Sequence, residues 1–246
     1  MEQQEIFGIR AILECIEAKQ DLEKVWLLKG QKSPLFKTLE NALRTHNIAH
    51  SYVPKERLER FSNKNHQGAV AAISPITFEL LENLFERVKK TNATPLFLLL
   101  DQITDTRNFG AIIRTASATN VDGIIIPKTG SARITSDTIK TSAGAIFKVP
   151  LVKVEHLKDA IYFLQANDIK TIGVTEKAAN TIYEHKLEGG IALIMGSEEK
   201  GITKSILSVL DEKVKLPMLG SIDSLNVSVA CGSVLYEVIR QRNYSQ

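Results

Sequence analysis

Five short, continuously apolar runs restrict this chain more than any other feature: PLFLLLD (residues 95–101), DGIIIP (122–127), IKTIGVT (169–175), GIALIMG (190–196) and KVKLP (213–217). A strand with one wet face alternates apolar and polar residues, so unbroken runs of this length read as strands covered on both faces. Segments with helical spacing separate them. That alternation predicts an α/β domain built on a parallel sheet. In an open parallel sheet, ligands lie beyond the carboxyl ends of the strands. The loops that follow these runs are where chemistry is expected.

The first third of the chain reads differently. Ile6, Ile9, Ile12, Leu13 and Ile16 recur at helical spacing and predict a helix over 6–18, followed by a strand at KVWLL. A helix (SPLFKTLENALRTH), a strand (IAHSYV), a charged helix (KERLERFS) and a strand (GAVAAIS) complete a small α/β unit over 1–75. The stretch FELLENLFERVKKTNATP then drops from apolar to polar and ends in proline, so 76–94 reads as a linker and 95–246 as the second domain.

Composition excludes several classes. The chain is 43% hydrophobic and 24% charged, as in a water-soluble globular protein. Its longest apolar runs fall far short of the roughly 18 residues that a membrane-spanning helix needs. The start, MEQQEIFGIR, lacks the basic and apolar regions of a secretory signal, so a cytoplasmic protein is expected. Cys15 and Cys231 have no cysteine or histidine at metal-ligand spacing, which predicts buried thiols rather than a disulfide or a metal site. The net charge of +3 is shared evenly along the chain and does not announce a nucleic-acid binder.

Three loops carry polar groups and glycines. After PLFLLLD comes QITDTRNFGAIIRTASATN, which has a single glycine and so neither a dinucleotide fingerprint nor a P-loop. A nicotinamide enzyme is disfavoured on that ground. The loop offers Asn108, Gly110 and Arg114, the last two on one helix face, with the glycine admitting a close neighbour and the guanidinium suited to phosphate or ribose oxygens. After GIALIMG, the glycines Gly196 and Gly201 bracket Glu198 and Glu199. After KVKLP, the turn MLGSID leads into a helix whose apolar face runs through Val227, Ala230, Cys231, Val234, Leu235, Val238 and Ile239. Ser224 is its expected N-cap, and Asn226 falls in the first turn, where free amides and the positive end of the helix dipole collect.

Together, NFGAIIRTA, IMGSEEKGI and LPMLGSIDSLNVSVACGSVLYEVIRQR resemble, in order and spacing, the three motifs of the SpoU (TrmH) class of RNA ribose 2′-O-methyltransferases. The N-terminal part, with GIRAILECI and HQGAVAAIS, is similar to that family's small substrate-binding domain of ribosomal-protein L30e-like fold. The resemblance spans almost the whole chain. In length and layout it is nearest to members that methylate a guanosine ribose in 23S ribosomal RNA. One departure is Arg10, where relatives commonly carry histidine, a position that bears on RNA selection and not on the chemistry.

The resemblance implies a parallel sheet closed by a deep trefoil knot, a homodimer with active sites at its interface, and S-adenosylmethionine as methyl donor without a metal. It implies a cofactor held by Met195, Gly196, Leu216, Met218, Ser224, Leu225 and Asn226. Asn108, Arg114, Glu198, Ser224 and Asn226 match its catalytic positions, with Glu198 orienting Arg114 or Asn226, and Asn226 donating to the 2′-oxygen or the cofactor. A guanidinium is a poor base. Two versions therefore stand: Arg114 is transiently deprotonated by an RNA phosphate, or it stays charged and stabilises the alkoxide while phosphate or water takes the proton. The partner is a structured RNA, either 23S ribosomal RNA or a large-subunit assembly intermediate; a transfer-RNA target and a non-catalytic assembly factor are the alternatives. Lys29, Lys32, Arg57 and Arg60 are candidate RNA contacts in the first domain.

Overall fold

The computed structural model describes residues 5–17, 21–61, 66–73 and 76–244. They form two compact units. One comprises the residues up to Thr77 together with Ile134–Ser136, and the other Phe78–Arg133 and the residues from Asp137 onward.

The first unit runs β1 (Glu5–Phe7), α1 (Ile9–Glu17), β2 (Leu22–Leu28), α2 (Pro34–Thr45), β3 (His50–Val53), α3 (Lys55–Glu59) and β4 (Ala69–Ile73). Its sheet has the order β1-β4-β2-β3, with β2 and β3 parallel and β4 antiparallel to β1 and β2. Alternation along the strands decides the packing. Val25, Leu27, Ala69 and Ala71 meet Ile9, Ile12, Phe36 and Leu39 of α1 and α2, whereas Trp26, Val70 and Ala72 meet Leu58 of α3. Ser33 caps α2, accepting from the Phe36 N–H at 3.3 Å, and Pro34 occupies the first helical position.

The helix expected from Ile6 begins later. Residues 5–7 pair with β4, Ile6 opposite Ala71, and Gly8 at φ +96° turns the chain into α1. Ile6 matched the helical period because, half-buried on the strand, it packs against the same cluster as Ile9, Ile12 and Ile16. Ala18, the expected helix end, lies outside the described residues.

The second unit runs α4 (Leu81–Thr91), β5 (Leu96–Asp101), α5 (Thr106–Ala118), β6 (Gly123–Pro127), α6 (Ser136–Thr141), β7 (Leu151–Val154), α7 (Leu157–Gln165), β8 (Lys170–Val174), β9 (Ile191–Gly196), α8 (Lys204–Leu207), β10 (Glu212–Val214) and α9 (Val227–Tyr244). Its six strands are all parallel in the order β10-β8-β9-β5-β6-β7. The five apolar runs are five of these strands.

Three elements depart from expectation. The stretch expected as a linker contains α4, whose Leu81, Leu84, Phe85 and Val88 are buried at helical spacing against Phe97, Ile125 and Ile161. It is an integral helix of the second unit, and its polar residues are the solvent face. Strand β7 has no unbroken apolar run, since Lys153 interrupts it and lies half-buried with Val154, and β10, expected to be covered on both faces, is instead the other edge strand, with Lys213 exposed.

Register aligns the strand ends that matter. Asp101 at the end of β5 lies beside Gly196 at the end of β9, Met195 beside Val174 of β8, and Val174 beside Val214 of β10. Asp101 is buried, and its carboxylate accepts from the Thr203 N–H at 2.7 Å, tying the segment after β9 to β5. At the far end, Arg242 of α9 donates to the carbonyls of Thr94, Pro95, Leu187 and Gly189, and Gln241 bonds Leu187 N–H and the His185 carbonyl. No helix among the described residues is long and apolar enough to cross a membrane.

Candidate active site

Three strand-end segments meet here. The first is the start of α5, capped by Asp105, whose carboxylate accepts from the Arg107 and Asn108 N–H groups at 2.9 and 2.7 Å. This fixes the helix entrance and presents the Asn108 side chain on the first turn. Gly110 does admit a close neighbour, but that neighbour is α6: a Cβ there would lie 2.8 Å from Thr141 Cβ and 2.9 Å from the Thr138 carbonyl oxygen.

The second segment is the tight turn after β9. Gly201, at φ +63°, donates to the Ser197 carbonyl at 2.8 Å, and residues 197 and 201 form a bridge. A Cβ on Gly196 would fall 2.0 Å from Gly201 C and 2.1 Å from Ile202 N, so only glycine lets the two backbones touch.

The third segment is the start of α9. The helix begins at Val227, and its cap is Asn226, not Ser224. Asn226 Oδ1 accepts from Ser228 N–H at 2.9 Å and from the Ser228 hydroxyl at 2.6 Å, and its carbonyl takes the Ala230 N–H. Both residues are good caps. The position of the first apolar helical residue, Val227, decides between them. Ser224 is instead exposed in the preceding loop.

These segments converge on one carboxylate oxygen. Glu198 Oε1 accepts from Asn108 Nδ2 at 3.3 Å, from Val227 N–H at 3.2 Å and from Asn226 Nδ2. Asn226 Nδ2 also donates to Asn108 Oδ1 at 3.0 Å. An anion at the first free amide of a long helix is favoured by the helix dipole. Both amide hydrogens of Asn226 are thereby engaged, and its oxygen serves Ser228. Asn226 thus holds the other groups in place, and the expected donation from Asn226 to a substrate is not available in this arrangement. Asn108 keeps one amide hydrogen, and Glu198 keeps Oε2, without a partner among the described residues.

Two cavities adjoin at this point. One, of about 290 Å³, is walled by Met195, Gly196, Leu216, Met218, Ser224 and Leu225, all six singled out in the sequence, with Glu176, Lys177 and Asp223 adding charge. The other, of about 460 Å³, is bounded by Gln102, Asp105, Asn108 and Gly130. Ser197, Glu198, Glu199, Lys200 and Val227 border both. Residues 174–177 and 129–130 were missed in the sequence, although both follow strands of the sheet, β8 and β6, where the strand-end rule could have found them.

Arg114 stands apart from the walls of both cavities. It lies exposed on α5, and among the described residues it has no hydrogen-bond or ion-pair partner. Helix α9 packs along α5 within the same chain, and a Cβ on Gly232 would meet Thr115 Cγ2 at 3.7 Å. Cys231 is fully buried and burial pushes its thiol up to about 12, whereas Cys15 is only half-buried, contrary to expectation. Among the described residues no group of three or more His, Cys, Asp or Glu is placed to hold a metal ion.

The smaller cavity suits a molecule with an apolar ring and charged ends. Leu216, Met218 and Leu225 offer apolar surface, Glu176 and Asp223 can accept from hydroxyl and ammonium groups, and Lys177 can meet a carboxylate.

The SpoU rRNA Methylase family matches residues 95–236, and the family described as RNA 2'-O ribose methyltransferase substrate binding matches residues 6–79. The 23S rRNA (guanosine-2'-O-)-methyltransferase RlmB of Haemophilus influenzae is 36% identical over 242 residues, covering 97% of this chain and 98% of that protein. The putative TrmH family tRNA/rRNA methyltransferase YacO of Bacillus subtilis is 32% identical, covering 97% of this chain and 96% of the relative. Among solved structures, the SpoU methyltransferase AviRb from Streptomyces viridochromogenes, in complex with AdoMet, superposes with a TM-score of 0.63 at 23% identity, over 99% of this chain and 92% of that one, a likeness of fold. With motif residues gathered at the strand ends and a family match over more than half its length, the chain belongs to the SpoU rRNA methylase family.

Proposed function

We propose that this protein transfers a methyl group from S-adenosylmethionine to the ribose 2′-hydroxyl of a guanosine in 23S ribosomal RNA. The observation that carries the reading is the Glu198 carboxylate joining Asn108 and Asn226 on the wall shared by two adjoining cavities. The smaller would take the cofactor and the larger the target nucleotide. The near full-length likeness to a guanosine-specific 23S rRNA enzyme supports ribosomal over transfer RNA.

When bound, the cofactor supplies a methyl carbon on cationic sulfur whose leaving group is a neutral thioether, so the reaction asks no Lewis acid of the protein. What remains is positioning, which in well-oriented reactions reaches ~7–11 kcal/mol. The turn at Gly196 and the apolar wall of Leu216, Met218 and Leu225 hold the donor. The remaining amide hydrogen of Asn108, which borders the larger cavity, and the remaining oxygen of Glu198, which borders both, are left for the substrate. The Arg114 guanidinium acts at the developing alkoxide, and the hydroxyl proton leaves to an RNA phosphate or to water, through the arginine or past it.

A homodimer accounts for Arg114 lying off both cavity walls, because Arg114 of the partner subunit would then complete the site. A trefoil knot, formed as the chain passes from β9 through β10 to α9, accompanies this reading and agrees with residues on both sides of β10 bordering one cavity. Residues 1–75 serve as the RNA-binding domain, and the place of action is the cytoplasm, where ribosomal RNA is modified.

The test is incubation with methyl-labelled S-adenosylmethionine and separate transfer-RNA and ribosomal-RNA pools from cells lacking the protein, followed by digestion to nucleosides. Label is expected as 2′-O-methylguanosine in large-subunit RNA. Label confined to transfer RNA, or none despite bound cofactor, would overturn the assignment.

A further inference from the structure

Gln102 has an uncommon backbone. It follows β5 directly, with φ at +57°, in the left-handed region where a side chain costs conformational energy that glycine escapes. The chain fixes it from both sides. Asp101 before it accepts from the Thr203 N–H at 2.7 Å, and the Ile103 carbonyl after it accepts from the Ala132 N–H at 2.6 Å. Asp101 and Ile103 are buried, whereas Gln102 is half-buried.

Nothing in the fold uses the carboxamide that sits on this strained backbone. Among the described residues it has no hydrogen-bond partner. Its side chain runs along the wall of the larger cavity: a Cβ on Gly130, itself at φ +79° on that wall, would sit 4.0 Å from Gln102 Cγ. Gln102 does not border the smaller cavity. Backbone strain of this kind persists where a site needs the residue that carries it.

The charges of the larger cavity indicate what the carboxamide meets. Among the described residues, Asp105, Glu198 and Glu199 stand on its wall against Lys200. Three carboxylates and one ammonium disfavour a phosphate, which carries the same sign and offers only acceptors. They suit the donor-rich edge of a base. Guanine presents N1–H and an amino group beside the O6 acceptor, and unpaired RNA leaves that edge open. A carboxamide, with one acceptor oxygen and one NH2 group, meets such a neighbouring donor and acceptor with two hydrogen bonds. Nε2 would donate to O6, Oε1 would accept from N1–H, and the amino group would remain for a carboxylate.

We infer that Gln102 is a specificity-determining residue, pairing with the edge of the target guanine and so selecting the nucleoside whose 2′-hydroxyl is presented to the donor. This rests on the RNA-methyltransferase reading and adds to it the group that recognises the base.

The test is a thermodynamic cycle on the full-length protein. The nucleotide labelled in transcribed 23S ribosomal RNA is mapped first. RNA is then ligated with either guanosine or 2-aminopurine riboside at that position, the latter lacking O6 and N1–H but keeping the amino group. Parent, Gln102→Met and Gln102→Gly are compared for RNA affinity, kcat/KM, cofactor affinity and melting temperature. Methionine keeps the length and the strain, and glycine removes both. On guanosine RNA both variants should lose about tenfold in kcat/KM, the effect of two neutral hydrogen bonds. On 2-aminopurine RNA the three proteins should agree within about twofold, because the partner of the carboxamide is gone. Cofactor affinity should hold throughout, and Gln102→Gly should melt no lower than the parent. A loss of the same size on both RNAs would overturn the inference, since Gln102 would then act away from the base. So would full activity of Gln102→Met, a parallel loss of cofactor affinity, or a lower melting temperature in Gln102→Gly. Failure of the parent to methylate any RNA would sink the functional reading itself, which keeps the two failures distinct.

Discussion

Replacing Gly196 by alanine tests how the site is built. The added Cβ would sit 2.0 Å from Gly201 C, 2.1 Å from Ile202 N and 2.3 Å from Gly201 O, all backbone atoms that no rotamer change can move aside. Even a 3.0 Å contact requires the turn to retreat by about 1 Å, which would break the 2.8 Å bond from Gly201 N–H to the Ser197 carbonyl. Overpacking costs about 1–3 kcal/mol and a lost hydrogen bond about 0.5–1.5 kcal/mol. The sum, ~2–4 kcal/mol, corresponds to a melting temperature lower by roughly 5–15 °C in a chain of this size. Because Ser197 and Glu198 border both cavities, cofactor affinity should fall as well. Differential scanning calorimetry and equilibrium dialysis against S-adenosylmethionine read the two effects. Gly220→Ala is the internal control, since a Cβ there meets nothing within 4 Å. If Gly196→Ala melts with the parent and binds cofactor equally well, the close-approach reasoning is wrong.

Arg114→Ala should abolish turnover and leave cofactor affinity intact; a comparable loss of both, measured by single-turnover assay and calorimetry, would contradict its role at the reacting oxygen. Burial tends to raise the Asp211 pKa, but bonds from the Thr171 N–H and hydroxyl and from Gln165 outweigh it and hold the carboxyl below its usual range. A carboxyl with a depressed folded pKa stabilises above its unfolded value, near 3.9, and that contribution is lost as pH falls through the folded value. Asp211→Asn should therefore lower the melting temperature at neutral pH and flatten its decline below about pH 4, whereas parallel pH profiles would refute the assignment. Cys231, with its thiol pushed up to about 12, should resist alkylation at pH 8 until the protein unfolds. Rapid labelling of Cys231 in the native protein would show that the α5–α9 seam opens.

What could be read from the sequence follows from burial. Strands β5, β6, β8 and β9 announce themselves because both their faces are covered, whereas the two edge strands are less legible: β10, with Lys213 exposed, is read from a run broken by lysines, and β7 is not read at all. The period of α4 was present in Leu81, Leu84, Phe85 and Val88, but its polar tail masked an element that belongs to a core. At the site, the six cavity-wall residues were named through the family resemblance of the motif loops that carry them. Their coupling was not: Asn108 and Glu198 are 90 residues apart, Asn108 and Asn226 are 118 apart, and no local period encodes a bond over such separations. The same limit applies to Asn226, whose saturated hydrogen bonds appear only once its neighbours are placed.

The strand order also constrains how the second unit is made. Strand β5 is synthesised first and lies at the centre of the sheet, with β6 on one side soon afterwards and β9 on the other only after β7, α7 and β8 have been made. Until then a run of leucines with unpaired backbone groups is open on one side, the kind of edge that pairs with other chains. Its closure relies on parallel pairing between sequence-distant strands, which forms slowly, and the carbonyls of Thr94, Pro95, Leu187 and Gly189 wait longer still for Arg242. The nascent protein therefore carries its greatest aggregation hazard in the interval between translating β5 and translating α9, and cutting the chain ahead of Gln241 would prolong that interval.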